Sequence, residues 1–195
     1  MYEESLQKVG QMDWLDNRIS NLKSRTNCGA SKNTKLFDVV LLCADRTELR
    51  KAIKLAGALV KSEDLNNWGD SYSTSNILNE SSTLSVVYTH DDLFAQAKYI
   101  FPSRMDSQQI VRIRDLLTNK YGKHDSTHGK VNLGEVYFKW HQENGIDVEV
   151  SRGWPDTTTI LTYTHLLNFK EMKDEQNKQL KEREAEKYQS QSNAF

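Results

Sequence analysis

Glu135-Val136-Tyr137-Phe138-Lys139-Trp140, Ile146-Asp147-Val148-Glu149-Val150 and Thr159-Ile160-Leu161-Thr162-Tyr163-Thr164 are three short runs inside the stretch from Gly134 to Thr164. Val136, Phe138 and Trp140 alternate with Glu135, Tyr137 and Lys139, and Ile146, Val148 and Val150 alternate with Asp147 and Glu149. That is the two-residue period of a sheet with one wet face. The segments between the runs are turn chemistry: Gln142-Glu143-Asn144-Gly145 offers Asn-Gly for positive φ, and Arg152-Gly153-Trp154-Pro155-Asp156 holds both a Gly and a Pro. The stretch therefore predicts an antiparallel meander, and the rest of the chain is read outward from it.

Immediately upstream, Ile110, Ile113, Leu117 and Tyr121 form an apolar stripe at helical spacing, opened by the cap signature Asp106 with Gln109 and closed by Gly122. Lys123 to His128 reads as a polar loop. Further back, Thr83 to Tyr88 and Leu93 to Phe101 alternate as strands about the turn His90-Asp91-Asp92, and Pro102 stops the second. Ala58 to Lys61 and Asp70 to Ser73 are shorter strand candidates on either side of Asn66-Asn67-Trp68-Gly69, and Asn76 to Ser82 is a polar loop. Asp45-Arg46-Thr47-Glu48 opens another helix through Leu49, Ile53 and Ala56, which Gly57 can end. Leu36 to Leu42 reads as a buried strand.

Two halves then share an order of elements, 36–101 and 102–165, each a helix ending in Gly followed by a polar stretch and about three antiparallel strands. The fold class is α+β, with an antiparallel sheet covered on one face by the two capped helices. Tandem helix-plus-three-strand units of this kind resemble those of beta-lactamase inhibitor protein and of the small outer-membrane assembly lipoproteins that share its fold. The resemblance is one of architecture over roughly residues 36 to 165, with no motif matched residue by residue, and implies a fold only.

Both ends extend this domain. Leu6, Val9, Met12, Leu15, Ile19 and Leu22 place an amphipathic helix within residues 1–27, and Asn27 to Asn33 is a small-residue, polar linker. At the other end, residues 166–195, Leu166, Leu167, Phe169 and Met172 are the last apolar residues at helical spacing. From Lys173 to Lys187 almost every position is charged or Gln, so a helix outlives its apolar face, and Gln189 to Phe195 is expected to be disordered. The two terminal stripes, each without another partner, are expected to meet within one chain or across a dimer.

Composition bounds the function classes. With 26 basic and 27 acidic residues among 195, the net charge of −1 argues against a general nucleic-acid binder. No apolar run is long enough to span a bilayer, and Glu3, Glu4, Asp13 and Asp16 sit where a signal peptide needs an apolar core. As written the chain is expected in the cytoplasm, or in the periplasm if an export signal has been removed. Cys28 and Cys43 could close a disulfide loop, but Cys43 ends the apolar run Val39 to Leu42 and two ordinary thiols are the favoured reading.

Trp154-Pro155-Asp156 has the letters of the acid loop of protein tyrosine phosphatases, whose chemistry also needs a thiolate with an Arg six residues on. Cys43 has Leu49 there and Cys28 has Thr34, so that chemistry is rejected in favour of a Pro-fixed turn. His124 and His128, with Asp125, read as a solvated loop and not as metal ligands, because a loop lacks the fixed spacing that a helix gives such pairs. No phosphate loop, nucleophile elbow or zinc-protease helix motif occurs, so no catalytic, cofactor-binding or metal-binding residue is assigned and no cofactor is expected.

The aromatic inventory carries the functional expectation. Trp140 reads as core. Trp154, flanked by Arg152 and Asp156, reads as a pre-organised anchor with a charged rim, and Trp68 and Tyr72 as a second contact region. The leading expectation is a non-catalytic protein-binding or inhibitory module acting through an exposed end of the sheet, with a protein partner or self-association. The alternatives are a small hydrolase or metal-dependent enzyme with a pocket invisible in the sequence, and a structural subunit that oligomerises through its terminal helices.

Overall fold

The computed structural model describes residues 34–65, 67–102 and 105–192. The amphipathic helix expected within residues 1–27, its contact with the C-terminal helix, and Cys28 lie outside the described residues. Cys43 is disulfide-bonded, which corrects the expectation of a free thiol at this position.

In chain order the elements are β1 (Lys35–Leu36), β2 (Val39–Val40), α1 (Arg46–Leu55), β3 (Leu59–Ser62), β4 (Gly69–Ser73), β5 (Thr83–Tyr88), β6 (Phe94–Phe101), α2 (Gln108–Tyr121), β7 (Ser126–Lys130), β8 (Leu133–His141), β9 (Ile146–Arg152), β10 (Thr159–His165) and α3 (Leu166–Ser192). Eight strands pair in the order β3-β4-β5-β6-β10-β9-β8-β7, antiparallel throughout, and β1 with β2 makes a separate small hairpin. The fold is α+β. A helix precedes four strands in each half, and the last strand of each half, β6 and β10, meet at the centre of the sheet.

Two neighbouring rungs show how the alternation sorts the faces. Phe138, Val150, Leu161, Tyr99, Leu84 and Tyr72 lie opposite one another across six strands, and all are buried. One residue along, Lys139, Glu149, Thr162, Lys98, Ser85 and Ser71 form a rung of polar, half-buried side chains, with Lys139 2.8 Å from Glu149. Leu49 and Ile53 of α1 and Ile110, Ile113 and Leu117 of α2 join the buried rung in one core. Burying a Leu, Ile or Phe of this kind is worth about 1.5–3 kcal/mol each, which fixes the register of the whole sheet.

The helix starts follow the caps read from sequence in one case and differ in the other. Asp45 caps α1 by accepting from the Glu48 backbone N–H at 2.8 Å. At α2 the acceptor is Asp106 as expected, but its bond at 2.8 Å goes to the Gln108 N–H, while Gln109 is buried and its side chain reaches the Pro102 carbonyl.

Three expectations need correction. Leu36 to Leu42 is not one strand but the β1–β2 hairpin and a turn, because Phe37 and Asp38 both adopt positive φ and reverse the chain. The loop expected over Lys123 to His128 runs into the edge strand β7, which begins at Ser126; nearly all the side chains of β7 are exposed, so no apolar period marks it, and it exists by pairing with β8. The helix at the C-terminus runs to Ser192, past the point where disorder was expected.

One charged cluster sits inside this apolar frame. Asp70, with its side chain fully buried, accepts from Arg46 Nη2 at 2.9 Å and from Arg50 Nε at 2.8 Å and Nη2 at 2.7 Å. Burial alone would raise the Asp70 pKa, but the two guanidiniums outweigh it and hold it below the usual carboxylate range. Arg46 also reaches Asp92 and the backbone carbonyls of Asp64 and Asn67, and lies 4.9 Å above the Tyr88 ring. The cluster ties α1 to the start of β4 and to the β5–β6 turn.

Candidate functional site at one end of the sheet

Strands β4, β6 and β9 end, and β5 and β10 begin, at the same end of the sheet, where Ser73 pairs with Thr83, Phe101 with Thr159 and Thr159 with Arg152. The β9–β10 turn projects from this end and is held from inside. Arg152 is buried, and its Nε donates to the Thr157 carbonyl at 3.2 Å. Asp156 Oδ1 accepts from the Thr158 N–H at 2.9 Å, and the hydrogen bonds from Thr158 keep the exposed Asp156 carboxyl below its usual pKa. The Trp154–Pro155 bond is cis, and Gly153 lies where a Cβ would come within 3.0 Å of the Asp156 carbonyl oxygen. On this frame the Trp154 side chain stands 66% exposed.

Two further exposed apolar residues belong to the same end. Val136 of β8 pairs with Arg152, so Leu133, three residues earlier, lies beyond Arg152 on the side of the Trp154 turn, and it is 70% exposed. Met105 follows Phe101 at the exit of β6, with positive φ and 86% exposure. Arg112 braces the neighbouring connections by donating at 2.8 Å to both Glu80 of the β4–β5 loop and Asp106 at the entrance of α2. The Arg112 hydrogen bond is the main cause that lowers the Asp106 pKa, with a smaller pull from Arg152. This end of the sheet thus carries three exposed apolar side chains, Trp154, Leu133 and Met105, and the charged side chains of Asp156, Glu80, Asp106 and Arg112.

The residues singled out by sequence divide. Trp154 and Asp156 are exposed together on the turn. Arg152 is a buried strut of that turn and not part of its rim. Tyr72 is fully buried, its hydroxyl 2.8 Å from Glu63, and so leaves the contact set. Its strand alternates Asp70 and Tyr72 inward against Ser71 and Ser73, a pattern too polar to show which side is core. Trp68 lies at the opposite end, just before Gly69, which pairs with Val87, and its ring is 6.4 Å from His90. There it lines a cleft of about 660 Å³ with Arg46, His90, Asp92, Leu180 and Arg183. Leu133 and Met105 were missed. Leu133 opens a strand whose apolar phase runs through Val136, and an apolar residue out of that phase, like Met105 beside Asp106 after Pro102, was the available signal.

The other candidate groups are accounted for by their neighbours. His124 packs edge-on against Phe138 and Trp140, at 5.1 and 5.9 Å between ring centres, and His128 stacks on Tyr137 at 5.4 Å. Trp140 is buried, and its indole N–H donates to the Gly122 carbonyl at 2.8 Å. Among the described residues no group of three or more His, Cys, Asp or Glu side chains is placed to hold a metal ion, and no helix is long and apolar enough to cross a membrane.

No protein-family model matches the chain, and no curated protein matches it. It is similar to a crystal structure of a DUF4309 family protein, YjgB, from Bacillus subtilis subsp. subtilis str. 168, at 12% identity over 77% of this chain and 94% of that one, with a TM-score of 0.38. That likeness is too loose to carry anything across.

Proposed function

We propose that the chain is a non-catalytic protein-binding or inhibitory module that meets its partner with the end of the sheet carrying Trp154. The observation that supports this reading is the exposed indole held on a turn whose own hydrogen bonds, from Arg152 to Thr157 and from Thr158 to Asp156, are made before any partner arrives. A pre-ordered aromatic loses little rotamer freedom on binding, and aromatic anchors ringed by polar groups dominate interface energetics. Leu133 and Met105 add exposed apolar side chains at the same end of the sheet, where Arg112 also bridges Glu80 and Asp106. The matching order of elements, α1 before β3–β6 and α2 before β7–β10, supports reading the domain as two tandem units.

Placing a photo-crosslinking amino acid at Leu133, and separately at Leu180 on the far end, tests the site. A discrete adduct with one protein from position 133 and none from position 180 is the expected result. Equal adducts from both positions, or none from 133, would remove this end as the interface.

A further inference from the structure

α3 walls one side of the cleft that Trp68 lines, and its chemistry there is not that of a packing helix. Its attachment to the sheet is made early, by buried Met172 and by Asn168, which donates to the Phe94 carbonyl. Further on, Gln176, Gln179, Leu180 and Arg183, three and four residues apart, share one face and line the cleft. Leu65, Trp68 and His90 line it as well, the two rings 6.4 Å apart and tilted at 51°. A helix that closes on a sheet buries an apolar stripe. Here the corresponding face carries two glutamines and an arginine beside an exposed Leu180, and the cleft stays open at about 660 Å³.

That volume falls within the roughly 300–1,000 Å³ of small-ligand sites, which are ordinarily apolar with a few polar groups. This lining reverses the proportion. Leu65, Trp68 and Leu180 are its apolar side chains, and four amides stand among the rest, those of Asn67, Gln176, Asn177 and Gln179. Gln176 and Gln179 are half-buried, yet their hydrogen bonds run along α3, from Lys173 at 3.4 Å and to Glu175 at 3.2 Å, and among the described residues none crosses the cleft. Arg46 and Asp92 hold each other at 3.2 Å, and Arg46 is bound to Asp70 besides. Arg183 is left as the arginine of the lining that has no ion pair among the described residues. Four amides, each both donor and acceptor, with one uncompensated arginine suit a ligand dense in neutral hydrogen-bonding groups and not a polyanion. The indole beside them adds a demand for an apolar face. Sugar rings meet both demands, with hydroxyls around the rim and C–H groups across the face. We propose that the cleft binds a neutral oligosaccharide, one ring seated against Trp68 and its hydroxyls held by Asn67, Gln176, Gln179 and Arg183. The site lies at the end opposite Trp154 and does not rest on the partner surface proposed there, so either assignment can fail alone.

The test titrates the full chain with cellotetraose, maltotetraose, mannotetraose and the tetramer of N-acetylglucosamine, read by calorimetry and by NMR of the indole and side-chain amide N–H groups. At least one of these sugars is expected to bind saturably, with a Kd on the order of millimolar or tighter, and to shift the signals of Trp68, Gln176 and Gln179. Trp68→Ala and Gln179→Ala should each weaken that binding about tenfold or more, and Trp154→Ala should leave it unchanged. Gln179 lies beyond the turns that attach α3 to the sheet, so its replacement reports on the site and not on folding. No binding of any of the four at concentrations on the order of 10 mM would overturn the proposal, as would binding that survives both cleft variants or is lost with Trp154→Ala. Tighter binding of a tetragalacturonate than of every neutral sugar would overturn it in favour of an acidic ligand.

Discussion

Asp70 occupies a position in β4 that the alternation assigns to the core, and its carboxylate is tolerated there because Arg46 and Arg50 donate to both oxygens. Asp70→Asn keeps the shape and removes the charge, leaving the nearly fully buried Arg46 guanidinium with only the half-exposed Asp92 carboxylate, at 3.2 Å, as its anion. The expected cost is about 3–5 kcal/mol in a denaturant melt, and a loss below about 1 kcal/mol would show that Asp92 and the backbone carbonyls suffice. His165 makes a second test. Burial pushes its pKa down to about 4, and its Nδ1 accepts from the Asn168 N–H at 3.2 Å at the start of α3. A depressed folded pKa means that the unfolded chain takes the proton first, so the contribution is complete above about pH 6.5 and is lost as pH falls toward 4, by about 3 kcal/mol. His165→Asn, which keeps an acceptor, should flatten the stability slope across that window relative to the parent; an unchanged slope would refute the assignment. Neither role was readable in the sequence. Asp70 meets its arginines across 20 and 24 residues, whereas Trp154 announced its exposure through its immediate neighbours Gly153, Pro155 and Asp156.

At the scale of elements, legibility followed side-chain burial. The strands β5, β6, β8, β9 and β10 bury one face and alternate visibly, and α1 carries its cap in Asp45, so each is placed by local sequence to within a few residues. β7 buries none of its side chains and was therefore silent. The β1–β2 hairpin hid inside an apolar run because its turn uses Phe37 and Asp38 at positive φ, residues that do not advertise one. In α3 the apolar face stops with Met172, which is buried, and Asn168 Nδ2 donates to the Phe94 carbonyl at 2.8 Å. The attachment of this helix to the sheet thus lies in its first two turns. Met172→Ala should cost about 2–5 kcal/mol, while deleting residues 185–195 should leave the melting temperature within about 1 °C. If the truncation destabilised as much as the point change, the exposed half of α3 would have a structural role that its solvated residues do not indicate.

For the whole molecule, an eight-stranded sheet with one face in the core leaves its polar face, its two ends and its two edges for recognition. The ends differ: one offers a braced turn with an exposed indole and also carries exposed Leu133 and Met105, the other the cleft that Trp68 lines with residues of α3. The sequence showed both tryptophans as candidates but could not say that they face opposite ways, because that follows from strand pairing between residues far apart in the chain. The most direct measurement is quantitative partner capture by the full chain, the Trp154→Ala, Leu133→Ser double variant and a Trp68→Ala control, with unchanged circular dichroism required of each. The account predicts that the double variant loses about tenfold or more of the captured partner while Trp68→Ala retains it. Capture undiminished in the double variant, or lost instead with Trp68→Ala, would contradict it.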